Sequence, residues 1–192
     1  MRTMRAFVAI LFAFAAIAPM AGAQSPAMKT KELEIKRLQF ETDQNPDYNP
    51  SRTKLKEGKA REWTRILFQF ETDMEWTDEV LFTCHVLLQN PRARTVQEKY
   101  TLLKGAVTYV FVPRGRHVGY LYIHPSVTDR FGPVDGVALE GTLAGRLAAV
   151  ESTSPAYKKW IEQLPARDGM VLRPSQTPFA VVETADTPMV KP

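Results

Sequence analysis

The chain has 192 residues, with 25 lysines and arginines against 21 acidic residues and a single cysteine. A single cysteine excludes an internal disulfide, and this length suits one domain with its own hydrophobic core. The formal net charge of +4 falls to +2 once Arg2 and Arg5 of the leader described next are removed, which is too small to indicate nucleic-acid binding.

The N-terminus has the three parts of a secretory signal. Residues 1–5 are basic, residues 6–19 are almost wholly apolar, and residues 21–23 supply the small-residue A-x-A exit. The apolar run is about 14 residues, short of the ~20 needed to cross a bilayer. We therefore predict a signal peptide at residues 1–23 and a mature chain that begins at Gln24 and stays in the periplasm or at the cell surface.

The rest of the chain is predicted to be one domain. Residues 24–30 are expected to be a linker, residues 31–184 the domain, and residues 185–192 a flexible tail. No second apolar stretch approaches membrane-spanning length, so the mature chain is not expected to span a membrane.

The first predicted strands show an alternation of apolar and polar residues. Leu33 and Ile35 lie on one face, and a slip in the alternation before Leu38 and Phe40 predicts a β-bulge. Residues 43–59, rich in Pro, Asn, Asp and Lys, predict a long loop. Further strands are predicted at residues 63–72 and 79–89, with a turn at residues 73–76 between them.

The next segment predicts a hairpin whose strands, residues 106–112 and 118–123, flank a basic loop at residues 113–117. Both strands are apolar on both faces. Such strands are either covered on both sides, or they present an aromatic face to a partner. The candidate partner-binding residues are the aromatic and basic side chains of this hairpin: Tyr109, Phe111, Tyr120, Tyr122, Arg114 and Arg116.

The remaining elements complete an all-β pattern. Short strands are predicted at residues 100–103, 137–143, 146–151, 170–172 and 179–183, with a helical turn at residues 125–131. Ser154 and Pro155 are predicted to begin a helix that Pro165 ends. Eight or nine short strands about ten residues apart favour an immunoglobulin-like β-sandwich with one short helix near the C-terminus.

The sequence contains no recognisable catalytic or metal-binding motif. Cys84 and His85 are neighbours on a predicted strand, so their side chains point to opposite faces and cannot form a dyad. Acidic residues around the predicted turn leave two alternatives open, a cation site or an acid–base pair, but their spacing matches no calcium loop. We therefore expect a protein that is not an enzyme and holds no cofactor or metal.

Four short stretches carry a resemblance to a known group of proteins. They are FQFET at residues 68–72, WTDEV at 76–80, YVFVP at 109–113 and TPFA at 177–180. With them, residues 33–183 resemble small immunoglobulin-like exported proteins of Akkermansia and related Verrucomicrobia that are encoded beside type IV pilus-like assembly genes. The resemblance implies an immunoglobulin-like sandwich with protein partners in a pilus-like or envelope assembly, and it brings no catalytic residues.

The leader separates this chain from a pilin subunit. A type IV pilin keeps a long apolar N-terminal helix with a glutamate just inside it, whereas the apolar segment here is predicted to be removed and contains no acid. The resemblance therefore implies an accessory or surface partner of such an assembly.

Two other functions remain open. A glycan-binding module at the cell surface would use aromatic rings as stacking faces, namely Trp63, Trp76, Tyr109, Tyr120 and Tyr122. A hydrolase would use the carboxylates near Asp73 and Asp78.

Export gives the first testable prediction. When the chain is expressed with its own leader, we expect the protein recovered outside the cytoplasm to begin at Gln24, as measured by intact-mass spectrometry. An Ala21→Arg/Ala23→Arg variant should keep its leader, because signal peptidase requires small residues at the exit. An exported wild-type protein that retains Met1 would contradict the assignment.

Overall fold

A computed structural model of the protein describes residues 32–44, 62–181 and 186–191. The predicted leader, the predicted linker at residues 24–30 and most of the predicted loop at residues 43–59 lie outside the described residues.

Two long antiparallel strands form the centre of the molecule. Strand β2 spans Glu62–Gln89 and strand β3 spans Tyr100–Ile123, and they pair along almost their whole length. Their register is interrupted between Thr72 and Trp76, opposite the Pro113 region of β3. We call this interruption the bend.

The bend divides the sheet into two layers. Strand β1, Leu33–Gln44, pairs with the half of β2 before the bend. Strand β4, Val134–Leu143, pairs with the half after the bend, and strand β5, Arg146–Ser152, pairs with β4. The two halves pack face to face, because the ring of Phe68 before the bend lies 4.9 Å from the ring of Phe82 after it.

The remaining elements are short and several lie along the outer edge of β3. Helices α1 (Val96–Lys99), α2 (Pro125–Phe131) and α3 (Tyr157–Gln163) connect or cover strands. Strands β6 (Ala166–Arg167), β7 (Val171–Leu172) and β8 (Met189–Val190) each pair with β3. Two 3₁₀ helices, Pro174–Gln176 and Pro178–Val181, lie between β7 and β8.

The core lies between the layers and is rich in aromatic residues. Phe68, Phe70, Phe82 and Tyr109 are fully buried, and their ring centroids lie 4.7–6.3 Å apart. These tilted and edge-to-face contacts are the arrangements that aromatic quadrupoles prefer. Gly119 makes room for them, since a Cβ there would lie 2.3 Å from a ring carbon of Phe68.

The fold class is confirmed: the chain is an all-β sandwich with a short helix near its C-terminus. The bulge in β1 is confirmed too, because the register slips between Ile35 and Arg37. The helix forms as α3, although it begins at Tyr157 without a side-chain cap instead of at Ser154. The immunoglobulin-like arrangement of the strands stays a prediction.

The predicted turn and hairpin were wrong. Residues 73–76 do not reverse the chain, and β2 continues through them. Residues 113–117 likewise do not form a hairpin loop, because β3 is a single strand on both sides of them. The turn-like composition marks the bend that the two paired strands share.

The prediction of a flexible C-terminal tail was wrong for residues 186–191. Val118 N donates to Asp186 O at 3.0 Å, and Lys191 N donates to Thr108 O at 2.8 Å. Because the outer edge of β3 presents unpaired backbone groups, the tail satisfies them as strand β8. The predicted strand at 179–183 was also wrong, since its described part belongs to the 3₁₀ helix Pro178–Val181.

The core predicts the effect of one truncation. Phe82→Ala should lower the free energy of unfolding by about 3–5 kcal/mol, because it removes a ring that contacts both layers. The matched control is Phe111→Ala, which removes an exposed ring and should cost less than about 1 kcal/mol. Urea unfolding followed by circular dichroism measures both, and equal losses would contradict this description of the core.

Candidate functional site

A network of hydrogen bonds around one carbonyl holds the bend. Thr72 Oγ1 donates to the carbonyl oxygen of Pro113 at 2.8 Å. His117 Nε2 lies 2.8 Å from the same oxygen and donates to it in its Nε2–H form. Arg114 Nε donates to the carbonyl of Asp73 at 2.6 Å. At this interruption, side chains therefore bond the backbone carbonyls that have no partner in the β2–β3 ladder, as is typical of a defined β-bulge.

Large apolar side chains at and next to the bend are exposed. Trp76 on β2 is 63% exposed, Phe111 on β3 is 65% exposed and Met189 on β8 is 59% exposed. Trp76 lies opposite Pro113, and Met189 lies opposite Val110, next to Phe111 along β3. We call Trp76, Val110, Phe111, Arg114 and Met189 the bend surface.

The backbone at Phe111 is strained. Its φ is 52°, in the left-handed region that a bulky residue rarely occupies. Such a conformation costs about 1–3 kcal/mol and is found mostly at binding and switch sites. The strain turns the ring of Phe111 to solvent, while its neighbour Val112 remains in the core.

The charges around the bend surface are mixed. Arg114 forms an ion pair with Asp73 at 3.3 Å, and Lys191 forms one with Glu79. The exposed side chains of Glu75 and Asp78, on either side of Trp76, make no ion pair within the described part of the chain. Arg116 lies 3.8 Å from Glu71, a pair of exposed groups that contributes little to stability.

Of the six predicted partner-binding residues, the structure buries two and leaves the others at least partly exposed. Tyr109 is fully buried among the core phenylalanines, and burial raises the pKa of its hydroxyl. Tyr122 is buried under Phe179, with stacked rings 4.6 Å apart, and burial raises its pKa to about 12. Neither ring can present a surface to a partner. Phe111, Arg114 and Arg116 are exposed at or beside the bend, and Tyr120 is half-buried.

Three of the five rings predicted as glycan-stacking faces pack inside the protein. Trp63 and Tyr122 are buried on the outer side of the first layer beneath Phe179, and Tyr109 lies in the core. Trp76 and Tyr120 remain accessible, but Trp76 lies at the bend and Tyr120 lies beside Arg65, whose guanidinium carbon is 5.9 Å from its ring. Glycan binding therefore stays a prediction that depends on two rings at separate places.

The residues considered for chemistry do not converge. Cys84 is fully buried in the core, while His85 lies on the opposite face of β2, where its Nε2 is 3.6 Å from a Glu140 oxygen. Burial lowers the pKa of His85, and the nearby Glu140 carboxylate partly opposes that effect. His117 belongs to the bend, and His124 bonds Ser126 at the start of α2.

The acidic cluster near the bend forms no metal centre in the described ranges. Asp73 is engaged by Arg114, and Glu71 lies 3.4 Å from Lys36. Among the residues that the structure describes, no three His, Cys, Asp or Glu side chains are grouped as metal ligands.

Sequence reasoning missed the part of Met189 in this surface. Residues 186–191 contain one proline and only two apolar residues, which is typical of a tail. A tail with one apolar pair gives almost no strand signal, and only the open edge of β3 makes it a strand.

The comparisons with known proteins concern the whole domain. A protein-family model matches residues 24–186, most of the chain. The chain belongs to this family. Among the solved structures, a crystal structure of a protein from Akkermansia muciniphila has the same fold, with a TM-score of 0.70 and 20% identity, covering 84% of this chain and 93% of that chain. No curated protein sequence matches the chain.

The structural match confirms the all-β fold that the resemblance implied. The chain has the all-β fold of that Akkermansia muciniphila protein. At 20% identity the structural match shows the fold alone. In the described ranges no helix is both long enough and apolar enough to cross a membrane.

The burial of Cys84 gives a chemical prediction. Desolvation raises the pKa of its thiol from 9.0 to about 12, so at pH 9 the native protein should hold almost no thiolate. We expect dithionitrobenzoate to label native Cys84 at least about a hundredfold more slowly than Cys84 unfolded in guanidinium at the same pH. Because the unfolded thiol loses its proton near pH 9 and the native thiol only near pH 12, the free energy of unfolding should fall as the pH rises from 9 to 12.

The absorbance of the released thiolate measures both rates. Rapid labelling of the folded protein would place Cys84 at the surface and contradict its position in the core.

Proposed function

We propose that this protein is an exported, non-catalytic accessory component of a pilus-like or envelope assembly that binds another protein through the bend surface. The observation that carries the proposal is the grouping of Trp76, Phe111 and Met189, all more than half exposed, on neighbouring strands. Exposed clusters of large apolar side chains are typical of interaction sites, and Trp is enriched among the residues that dominate binding energy.

The backbone supports this assignment. The hydrogen bonds of Thr72, His117 and Arg114 fix the bend before any partner arrives. A rigid, pre-organised surface loses less conformational entropy on binding than a mobile loop. The strained φ of Phe111 also fits a binding role, because such backbone conformations are found mostly at binding and switch sites.

The charges fit a protein partner better than a polyanion. Carboxylates of Glu75 and Asp78 flank Trp76, while Arg114 lies across the strand pair. A mixed rim of this kind favours orientation and selectivity in a protein complex. A purely anionic surface would be repelled by the acidic side of the rim.

Different observations support the proposed export and the proposed non-catalytic role. The family match begins at Gln24, the residue predicted to follow the signal peptide. The buried thiol of Cys84 and the dispersed histidines offer no nucleophile–base pair in the described residues. The role in a pilus-like or envelope assembly is supported by the resemblance to Akkermansia proteins.

A pull-down tests the proposed surface. Tagged wild-type protein, crosslinked in envelope extracts of its source organism, should enrich a protein of the pilus-like or envelope assembly, identified by mass spectrometry. A Trp76→Ala/Phe111→Ala variant should recover that protein at least about tenfold less, because two central apolar anchors are lost. Tyr120→Ala, on the outer side of the other layer, is the matched control and should recover it normally.

Three results would overturn this proposal. They are the recovery of no assembly protein, equal recovery by the Trp76→Ala/Phe111→Ala variant, and loss of recovery in Tyr120→Ala alone. Binding of the wild-type protein to a glycan array would favour the glycan-binding alternative. The thermal unfolding of each variant serves as the folding control.

A further inference from the structure

A cavity lies at the end of the sandwich away from the bend. It has a volume of about 350 Å³ and opens where the start of β3 meets the end of α2 and the segment after α3. The residues that line it include the apolar Phe131 and Leu164 and the charged Arg130, Arg167 and Glu98. Cavities of this size hold small ligands or single side chains of a larger one.

The backbone positions that carry the two arginines are set by packing and by strand pairing. Helix α2 ends against β2 at Gly132, where φ is 96° and an added Cβ would lie 2.2 Å from the carbonyl oxygen of Gln89. This close approach sets the position of Arg130 and Phe131. Arg167 is in β6, which pairs in parallel with Leu102 and Leu103 at the start of β3.

The two arginines converge on one ring. The guanidinium carbon of Arg130 lies 5.0 Å from the centroid of Phe131, and that of Arg167 lies 5.3 Å from the same centroid. Neither arginine makes an ion pair within the described part of the chain. Two guanidinium groups that share an apolar wall and lack a carboxylate partner are suited to bind an anion with charge-assisted hydrogen bonds.

The negative charge of Glu98 indicates which class of anion the cavity would bind. Its carboxylate lines the same cavity and likewise makes no ion pair among the described residues. A phosphate or sulfate would meet this carboxylate with like charge. The last residue of a polypeptide instead carries a carboxylate for the arginines, an adjacent N–H that can donate a hydrogen bond to Glu98, and a side chain that Phe131 and Leu164 can contact.

We propose that this cavity binds the C-terminal residue of a partner polypeptide, with the free α-carboxylate on Arg130 and Arg167 and an apolar side chain against Phe131 and Leu164. Capture of a terminal carboxylate is a recurring way for a domain to recognise a peptide. This inference rests on the proposed protein-binding function and adds a second contact point far from the bend surface.

A pair of small probes tests it. N-acetyl-leucine carries the carboxylate, the N–H and the apolar side chain, and N-acetyl-leucinamide differs from it only in the missing charge. In a ¹⁵N-resolved NMR titration of the mature protein, N-acetyl-leucine should shift the amides around Thr101, Phe131 and Arg167. The amide probe should bind at least about tenfold more weakly.

Variants distinguish direct contact of the two arginines with the carboxylate from an effect of the protein's net charge. R130Q and R167Q should each weaken N-acetyl-leucine binding at least about tenfold, and R130K and R167K should restore it only in part, because lysine lacks the planar fork. R94Q removes the same charge from the loop after β2, outside the cavity, and should change the affinity less than twofold. The dispersion of each NMR spectrum reports whether the variant is folded.

Several results would overturn the inference. Equal affinity for the amide probe would show that the cavity does not recognise the carboxylate. Tighter binding of inorganic phosphate or of glucuronate at the same amides would assign the cavity to another anion, and tighter binding of free leucine would assign it to a free amino acid. The titration contains no partner protein, so a negative titration would contradict only the proposal for the cavity. A negative pull-down would contradict only the proposal for the bend surface.

Discussion

The structure depends on one carbonyl group. Pro113 O accepts hydrogen bonds from Thr72 and His117 at the point where the β2–β3 ladder is interrupted. The Thr72 bond joins β2 and β3, strands of 28 and 24 residues, across the gap in their register. The same pair of strands supplies both layers of the sandwich, and the core phenylalanines meet across it.

This constraint links the core to the surface. The bend that brings Phe68 onto Phe82 also turns Phe111 and Trp76 to solvent. The apolar residues of the bend surface are therefore exposed as a consequence of how the layers close, and a rigid backbone holds them. The cavity at the opposite end has a different origin, since short pieces after α2 and α3 converge on the start of β3.

Local sequence patterns predicted the local features. The alternation in β1 and its slip, the opposite directions of Cys84 and His85, and the helix near residue 160 all follow from the spacing of neighbouring residues. The continuity of β2 and β3 was not predictable in this way, because residues 73–76 and 113–117 have turn-like compositions. Hydrogen bonds between residues 41 apart in the chain hold these two segments together across the interrupted register.

The candidate sites were predicted only in part for the same reason. A strand apolar on both faces left open whether Tyr109, Tyr122 and Phe111 were covered, and the answer depends on the second layer and on Phe179, far along the chain. No local pattern joins Glu98, Arg130 and Arg167. Only the folded chain brings them to one cavity.

The position of β8 has a consequence for the solution behaviour of the protein. Strand edges recruit other strands, and β3 would otherwise offer an open edge beside exposed apolar side chains. The short pairing of Met189 and Val190, held by Lys191 on Thr108 and Glu79, occupies part of that edge. Residues 189–191 therefore leave fewer backbone groups of β3 open for pairing with a strand of another copy.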